Sequence, residues 1–538
     1  MQFHFNQHRY CFCGGSPQLI GEFDAIHRVD PVKGFSHLLR LVCLDVPDEM
    51  PGQARTAQFV QLLQSFLQPV FAKVVSAALH GLAYPLNRDG LRYRDQFDGF
   101  GIPFAAYCGI VDAVENTPVV LHNLSYLNGS HNWQSIIPIM ERFIVIHYHE
   151  LGLKKGNRDY FENRLCKNIR TMLAGCGFGE VRRISGRILV ELMPDCDLAE
   201  IQRRLEKVSG IAYFAEAWEC PLSLEALEEK AWDLIGSKTF ESFRVATRRS
   251  DKNFPYTSVQ INQRVGGTIQ QRSGRRVDLE EPALTCSIEV VDNRALIYVD
   301  RRPGIGGLPS STSGKVVVLL SGGLDSPVAA WKVIKRGCTA VFVHFHSFPY
   351  TNKESQEKAR LLALLLAEYQ LRSKLYLVPF AEVQRHIMVE TPADTRVILY
   401  RRYMLRLAER IARRERARVL VTGDSIGQVA SQTIENIDVI SRAVQMPILR
   451  PVIGDDKIEI VNIARRIGSY DISILPDQDC CSLFVPKHPE TKAHLETIEK
   501  SETRLQVEEA MEQAMRSAEV LLQYPAWHDT ETRTIPQL

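Results

Sequence analysis

The spacing of apolar residues changes several times along the chain, and each change marks a part. Residues 142–148 (RFIVIHY) are an apolar run and predict a strand. Residues 156–172 set Phe161, Leu165 and Ile169 on one helical face. A strand at 187–192, a helix at 198–208 and a strand at 211–217 follow, so 140–221 reads as a compact α/β unit. A second unit, 222–302, opens with an amphipathic helix at 222–235 and a strand at 239–247. It continues with a helix at 258–271 and a hairpin, 286–290 with 294–299, turning at Asp292-Asn293. Residues 303–314 are rich in Gly, Pro and Ser and read as a linker or binding loop.

The third unit, 315–495, alternates strands and helices. Strands are expected at 315–320, 340–344, 374–379 and 418–422, with helices at 327–336, 354–369, 381–389, 395–416 and 457–467. Such alternation predicts a parallel sheet with helices on both faces. Residues 496–538 read as a charged helix and a polar tail. The first 139 residues carry little periodicity outside a helical spacing at 56–79, and only two lysines, Lys33 and Lys73. Two readings stand for them: an accessory extension, or a chain whose translation starts at Met140. No function is assigned to this region.

Composition narrows the class. In 538 residues 45% are hydrophobic and 24% charged, an ordinary globular balance. The net charge of +2 gives no argument for a nucleic-acid partner, so an RNA face has to be a local basic patch. There is no apolar run of membrane-spanning length and no secretory signal pattern, and a cytoplasmic location is expected. Twelve cysteines at this length are not a disulfide scaffold; the adjacent pair Cys480-Cys481 stands out.

The segment VVVLLSGGLDSP, 316–327, carries the most chemistry. A buried strand runs into a Ser-Gly-Gly turn, and a helix starts at once, with Pro327 suited to its first position. Ser321, Gly322, Gly323 and Ser326 then aim N–H and hydroxyl donors at one point, an anion site. It is not a Walker loop, because no Gly-Lys-Ser/Thr follows. Asp325 could hold a metal or orient phosphates, or simply cap the helix. In a doubly wound sheet the site lies at the carboxyl ends of the strands. There HFHS (344–347) and GDSIGQVASQT (423–433) supply polar groups suited to a base and ribose.

The loop resembles the SGGxDS pyrophosphate loop of the adenine-nucleotide α-hydrolases. Taken in order, LLSGGLDSPVAAW, VHFHSFPYT, VTGDSIGQVASQT, RPVIGDDKIEIVNIARRIGSYDIS and PDQDCCSLFVP resemble the tRNA 4-thiouridine synthetases, the ThiI family, over roughly residues 140–495. That resemblance implies an α/β multidomain chain. A ferredoxin-like domain and a THUMP domain, both α+β, precede a doubly wound parallel-sheet pyrophosphatase-loop domain. It implies ATP-dependent thiolation of a tRNA uridine at position 8 through an adenylated uridine, with ATP and Mg²⁺ as cofactors. It implies ATP contacts from Leu319, Leu320, His344, Phe345, Arg401, Gly423 and Gln432, and catalytic roles for Asp325 and Lys457. A lysine beside the phosphates offsets the charge that builds as pyrophosphate leaves.

The resemblance also places a sulfur-handling cysteine at Cys481, with Cys480 one residue away as the alternative. Some family members carry that sulfur on a C-terminal rhodanese domain. The 57 residues after Cys481 are too few for one, so persulfide is expected directly from a cysteine desulfurase. Sulfur transfer to the carrier ThiS in thiamine biosynthesis goes with the rhodanese domain in the family; it is left open here, with the short C-terminal segment arguing against it. Arg244, Arg248, Arg249 and Lys252, with Arg264, Arg272, Arg275 and Arg276 nearby and the rings of Phe254 and Tyr256 among them, form the expected tRNA-binding patch. Reaching a distant uridine from there needs a homodimer or a long reach. Competing readings are an amidating synthetase on the same loop and a non-catalytic tRNA-binding protein.

Overall fold

The computed structural model describes residues 142–477, 489–525 and 527–528, plus the strand segments His4–Phe5, His8–Arg9 and Arg533–Thr534. The helical spacing at 56–79 and the pair Cys480-Cys481 lie outside the described residues. Contacts divide the chain into Met1–Ile137 and Pro138–Leu538. Everything below concerns the second unit.

The first two expected domains share one sheet. Its strands run in the order Phe178–Ile184, Arg187–Leu192, Arg142–His147, Tyr213–Cys220, Arg294–Tyr298, Leu284–Val291, Ser242–Arg249, Arg276–Val277. Tyr213–Cys220 is the seam, because it pairs antiparallel with Arg142–His147 on one side and Arg294–Tyr298 on the other. Helices Arg158–Met172 and Leu198–Leu205 bury Leu165, Ile169 and Ile201 against one half. Helices Leu224–Ile235 and Ser258–Ser273 bury Leu227, Ile261 and Val265 against the other. The hairpin turns at Asp292-Asn293 as expected; both have positive φ (48° and 58°), which Asp and Asn tolerate in two-residue turns.

A buried ionic cluster crosses this seam. Glu289, 1% exposed, lies 2.6 Å from Arg187 Nε and 3.0 Å from His147 Nε2, and it accepts a 2.7 Å hydrogen bond from the Tyr298 hydroxyl. Burial alone would raise its pKa. His147, Arg187 and Tyr298 outweigh burial and bring it down to about 2.

The third domain has a seven-stranded sheet, ordered Ile448–Leu449, Leu420–Val421, Lys315–Leu319, Thr339–His346, Ser373–Pro379, Glu519–Gln523, Arg533–Thr534. The first five are parallel, and Glu519–Gln523 pairs antiparallel with its neighbour on each side. The chain moves outward in one direction from Lys315–Leu319 and later returns to its other side at Leu420–Val421. A crevice therefore opens between those two strand ends. Val317, Phe345 and Tyr400 pack on one face of the sheet, and Val316, Val318, Val328 and Leu362 on the other.

Three expectations change. Residues 178–184 (FGEVRRI) form an unforeseen strand; its side chains are mostly half-exposed at a sheet edge, so no apolar run announces it. The C-terminal tail holds helices Leu495–Glu502 and Glu508–Ser517 but also the strand Glu519–Gln523, which extends the catalytic sheet. The helix after the phosphate loop starts at Asp325, so Pro327 is its third residue rather than its first. The missing N–H is still harmless in a first turn. The 303–314 segment is a packed connector. Gly307 has φ +80°, and a Cβ there would lie 2.0 Å from the Lys335 carbonyl oxygen.

Candidate active site

The strand Lys315–Leu319 is buried through Val316–Val318 and delivers the chain to the crevice. Leu320 N–H donates to Val343 O at 2.8 Å, and Leu320 O faces His344 Nδ1 at 2.9 Å. Both backbone groups of Leu320 are thus engaged inside the protein. With a carbonyl as its partner, Nδ1 carries the proton. The turn then closes on itself. Ser321 N–H donates to Ser326 Oγ at 2.9 Å, and Ser326 Oγ donates to Ser321 O at 3.1 Å. Gly323 N–H points to Ser321 Oγ at 3.3 Å. Two serines therefore fix the turn while the Asp325–Lys335 helix presents its N-terminus beside it.

Asp325 does not cap that helix; the N-cap is Leu324, and no side chain caps it. The carboxylate instead accepts from Lys457 Nζ at 3.2 Å and from Gln428 Nε2 at 3.4 Å. Lys457 opens the helix Lys457–Ile467, held by a capping box between Asp456 and Glu459. Half of its side chain faces solvent, where a ligand can reach it. Gln428 went unrecognised as a partner of Asp325 in the sequence, because nothing in its loop distinguishes it from its polar neighbours.

The crevice's other wall is the 423–433 loop. Gly423 abuts the phosphate loop so closely that a Cβ would lie 2.7 Å from Ser326 N and 2.8 Å from Ser326 Cα. Asp424 is buried and paired with Arg401, with Arg450 Nε at 3.1 Å and the Thr422 hydroxyl at 2.7 Å. Burial would raise its pKa, but Arg401, Thr422 and Arg450 together hold it below the usual carboxylate range. Arg401 also donates to Ser431 Oγ at 3.0 Å. Its guanidinium therefore shapes this loop. Gln432 Oε1 is buried with no hydrogen-bond partner among the described residues. Phe345 packs edge-on against Phe380, ring centroids 5.5 Å apart, so its ring is part of the core.

The structure thus gathers Ser321–Ser326, His344, Arg401, Gly423, Gln432 and Lys457 around one crevice. Leu319 is half-buried beside it. Among the described residues there is no cluster of three His, Cys, Asp or Glu side chains able to hold a metal.

The expected RNA patch is thinner than its sequence. Arg264, Arg272 and Arg276 pair with Glu228, Glu229 and Asp278. Arg244 binds Thr285 Oγ1 and Leu279 O, and Arg249 holds the carbonyls of Lys252 and Phe254. Phe254 is buried in the domain core and is unavailable for stacking; Tyr256, set against it at 5.3 Å, is exposed. Arg248 and Lys252 remain exposed, with Arg248 Nη1 donating to the Tyr213 hydroxyl at 3.5 Å.

Comparison with known proteins agrees with this geometry. Residues 311–507 match the family model "Thiamine biosynthesis protein (ThiI)", 143–215 the ThiI ferredoxin-like domain, and 222–300 the THUMP domain. The chain is 46% identical over 383 residues to the "Probable tRNA sulfurtransferase" of Thermus thermophilus, covering 71% of this chain and 94% of that one. It is 41% identical to its counterpart in Moorella thermoacetica, covering 71% and 98%. Among solved structures it is similar to a 4-thiouridine synthetase–RNA complex with bound ATP. That match has a TM-score of 0.65 and 35% identity, over 71% of this chain and 99% of that one.

Proposed function

The chain belongs to the ThiI family of tRNA sulfurtransferases, and from that premise we propose that it adenylates a tRNA uridine with ATP and then replaces the activated oxygen by sulfur. The observation that carries this reading is the meeting of Asp325 and Lys457 at the mouth of the Ser-Gly-Gly turn, 3.2 Å apart.

In the first step the 4-carbonyl oxygen of the uridine attacks the α-phosphorus of ATP, and the bond to pyrophosphate breaks. Ser321 and Gly323 spend their N–H groups inside the turn, so we assign the phosphates to the N-terminus of the Asp325–Lys335 helix beside it, and Lys457 to the negative charge that grows on the leaving group. We assign Gln432 Oε1, buried and without a partner among the described residues, to accept from the nucleotide's base or ribose. Asp325 is the residue that would hold Mg²⁺, which would supply further charge neutralisation. In the second step sulfur attacks the ring carbon, and AMP departs with the oxygen. Adenylation is needed because a bare carbonyl oxygen is a poor leaving group. We assign the sulfur to the outer atom of a persulfide on Cys481 or Cys480, loaded by a cysteine desulfurase; after it attacks, a second thiol attacks the inner sulfur, so that the S–S bond breaks, a disulfide forms and the transferred sulfur stays on the ring carbon. Arg248, Lys252 and Tyr256 are the groups we assign to the tRNA strand.

The test is mass analysis of tRNA nucleosides after expression in a host unable to thiolate. The wild-type chain restores 4-thiouridine, and Asp325→Ala and Cys481→Ser abolish it. Thiolation by the Asp325 variant at the wild-type level would overturn the adenylation site. An amidating synthetase would instead show ATP–pyrophosphate exchange without tRNA.

A further inference from the structure

Behind the phosphate loop sits a buried lysine that neither the motifs nor the comparisons single out. Lys358 lies in the second turn of the helix Glu354–Gln370, and its side chain is 4% exposed. Its ammonium is 2.8 Å from Asp477 Oδ1 and donates to Ser473 O at 3.2 Å. Ser473 in turn donates through Oγ to Gly323 O at 3.4 Å. These groups press on the loop itself. A Cβ on Gly322 would lie 2.7 Å from Asp477 Oδ2 and 2.8 Å from Lys358 Cδ. Gly322 lies outside the positive-φ region, so it is glycine for want of space.

The charges make this arrangement more than packing. A carboxylate touching the loop places a negative charge within a few ångströms of where the triphosphate binds. Unpaired, it would repel ATP through a medium that screens poorly. A buried ammonium without a partner would be equally unfavourable. We infer that Lys358 is a positioning residue of the adenylation step: it neutralises Asp477, so that the carboxylate braces Gly322 without opposing the nucleotide. The inference rests on the reading that this loop holds the phosphates of ATP.

The sign of the effect separates this from a structural role. Tested in the full chain by tRNA-dependent ATP–pyrophosphate exchange, Lys358→Met leaves Asp477 uncompensated and raises the ATP KM about tenfold or more, with a smaller change in kcat. Asp477→Asn removes the repulsive charge and leaves the ATP KM unchanged or lowered. Lys358→Met combined with Asp477→Asn recovers most of the KM lost by the first change alone, and Lys358→Arg stays within a few-fold of wild type. Thermal melting of each variant runs alongside. An ATP KM within twofold of wild type for Lys358→Met overturns the inference. So does an equal rise in KM for both single variants, or a double variant no better than Lys358→Met. If Lys358→Met does not fold, Asp477→Asn and the double variant decide: a raised KM in both refutes the charge argument. If the wild-type chain shows no exchange, the functional reading falls first and takes the inference with it.

Discussion

Gly423 tests the idea that the crevice works by close approach of two loops. It lies two residues past the strand Leu420–Val421, next to Lys315–Leu319, at the point where the sheet order reverses. Its Cβ position lies 2.7 Å from Ser326 N, 2.8 Å from Ser326 Cα and 2.9 Å from Asp325 C. All three are backbone atoms of the first helical turn, which cannot swing aside as a flexible side chain would. Ordinary contact begins near 3.4 Å, so Gly423→Ala has to push the loops apart by several tenths of an ångström. Overpacking of this kind costs about 1–3 kcal/mol of stability. A displacement approaching 1 Å at reacting groups can cost roughly a hundredfold in rate. Gly423 is not in the positive-φ region, so backbone strain adds nothing. Gly454→Ala is the control: it sits near the same crevice, with nothing within 4 Å of its Cβ position. The assay is steady-state thiolation with varied ATP, with melting followed in parallel. Gly423→Ala should lower kcat/KM for ATP by about tenfold to a hundredfold, and Gly454→Ala should match wild type. If the two alanines behave alike, the close-approach argument is wrong.

Glu502 accepts from Arg402 at 2.8 and 2.9 Å and from Arg406 at 2.8 Å, and Arg402 is 1% exposed. Glu502→Gln strands a buried guanidinium, so calorimetry should show a loss of about 3 kcal/mol and a fall of roughly 6–12 °C in melting temperature. Glu289 has its pKa lowered to about 2, so its stabilisation is fully present above its ordinary value near 4.5 and is lost as pH falls towards 2. Urea unfolding from pH 6 down to 3 should show a declining midpoint. Glu289→Gln should start lower at pH 6 and flatten that decline; an unchanged slope would count against the cluster. Phe254→Ala should destabilise by about 3 kcal/mol. Tyr256→Ala should leave melting intact but weaken tRNA binding, by about 1–3 kcal/mol if a base stacks there. Equal effects of both variants on stability would refute the division between core ring and stacking ring.

Strongly patterned elements were legible in the sequence. The helix expected at 457–467 is Lys457–Ile467, with both ends written in local chemistry: the Asp456–Glu459 box at one and Gly468 in the left-handed region at the other. The strand expected at 418–422 shrinks to Leu420–Val421, although its apolar run is longer, because ladder pairing to its neighbours covers two residues. The edge strand 178–184 escaped notice because its half-exposed side chains make no apolar run, although its partner 187–192 follows at once; the late strand 519–523 escaped because its partner, 373–379, is distant in sequence. The site divides in the same way. Motifs named the loop, Asp325 and Lys457. They could not show that Arg401 spends its guanidinium on Asp424, that Phe254 is buried, or that Lys358 lies beneath Gly322. Each of those is a contact between segments far apart in sequence.

The placement of Lys457 joins these long-range contacts into one argument. The segment leading to it is tied down at each step: Arg450 to Asp424, Ser425 Oγ to Asp455 O at 3.1 Å, Ile426 N–H to Ile453 O at 3.1 Å, and Lys332 to Asp455. The 423–433 loop and the segment leading to Lys457 are therefore tied to each other, and Lys332 ties them to the helix that follows the phosphate turn. The pair that results, Lys457 with Asp325, is half open to water on the lysine side and is worth less than about 1 kcal/mol to the fold. A rigid frame built to hold so weak a pair makes little sense as a stabilising device. It makes sense if the lysine's proper partner is a phosphate that arrives later, because a weak resting contact leaves Lys457 free to exchange Asp325 for the departing pyrophosphate at little energetic cost.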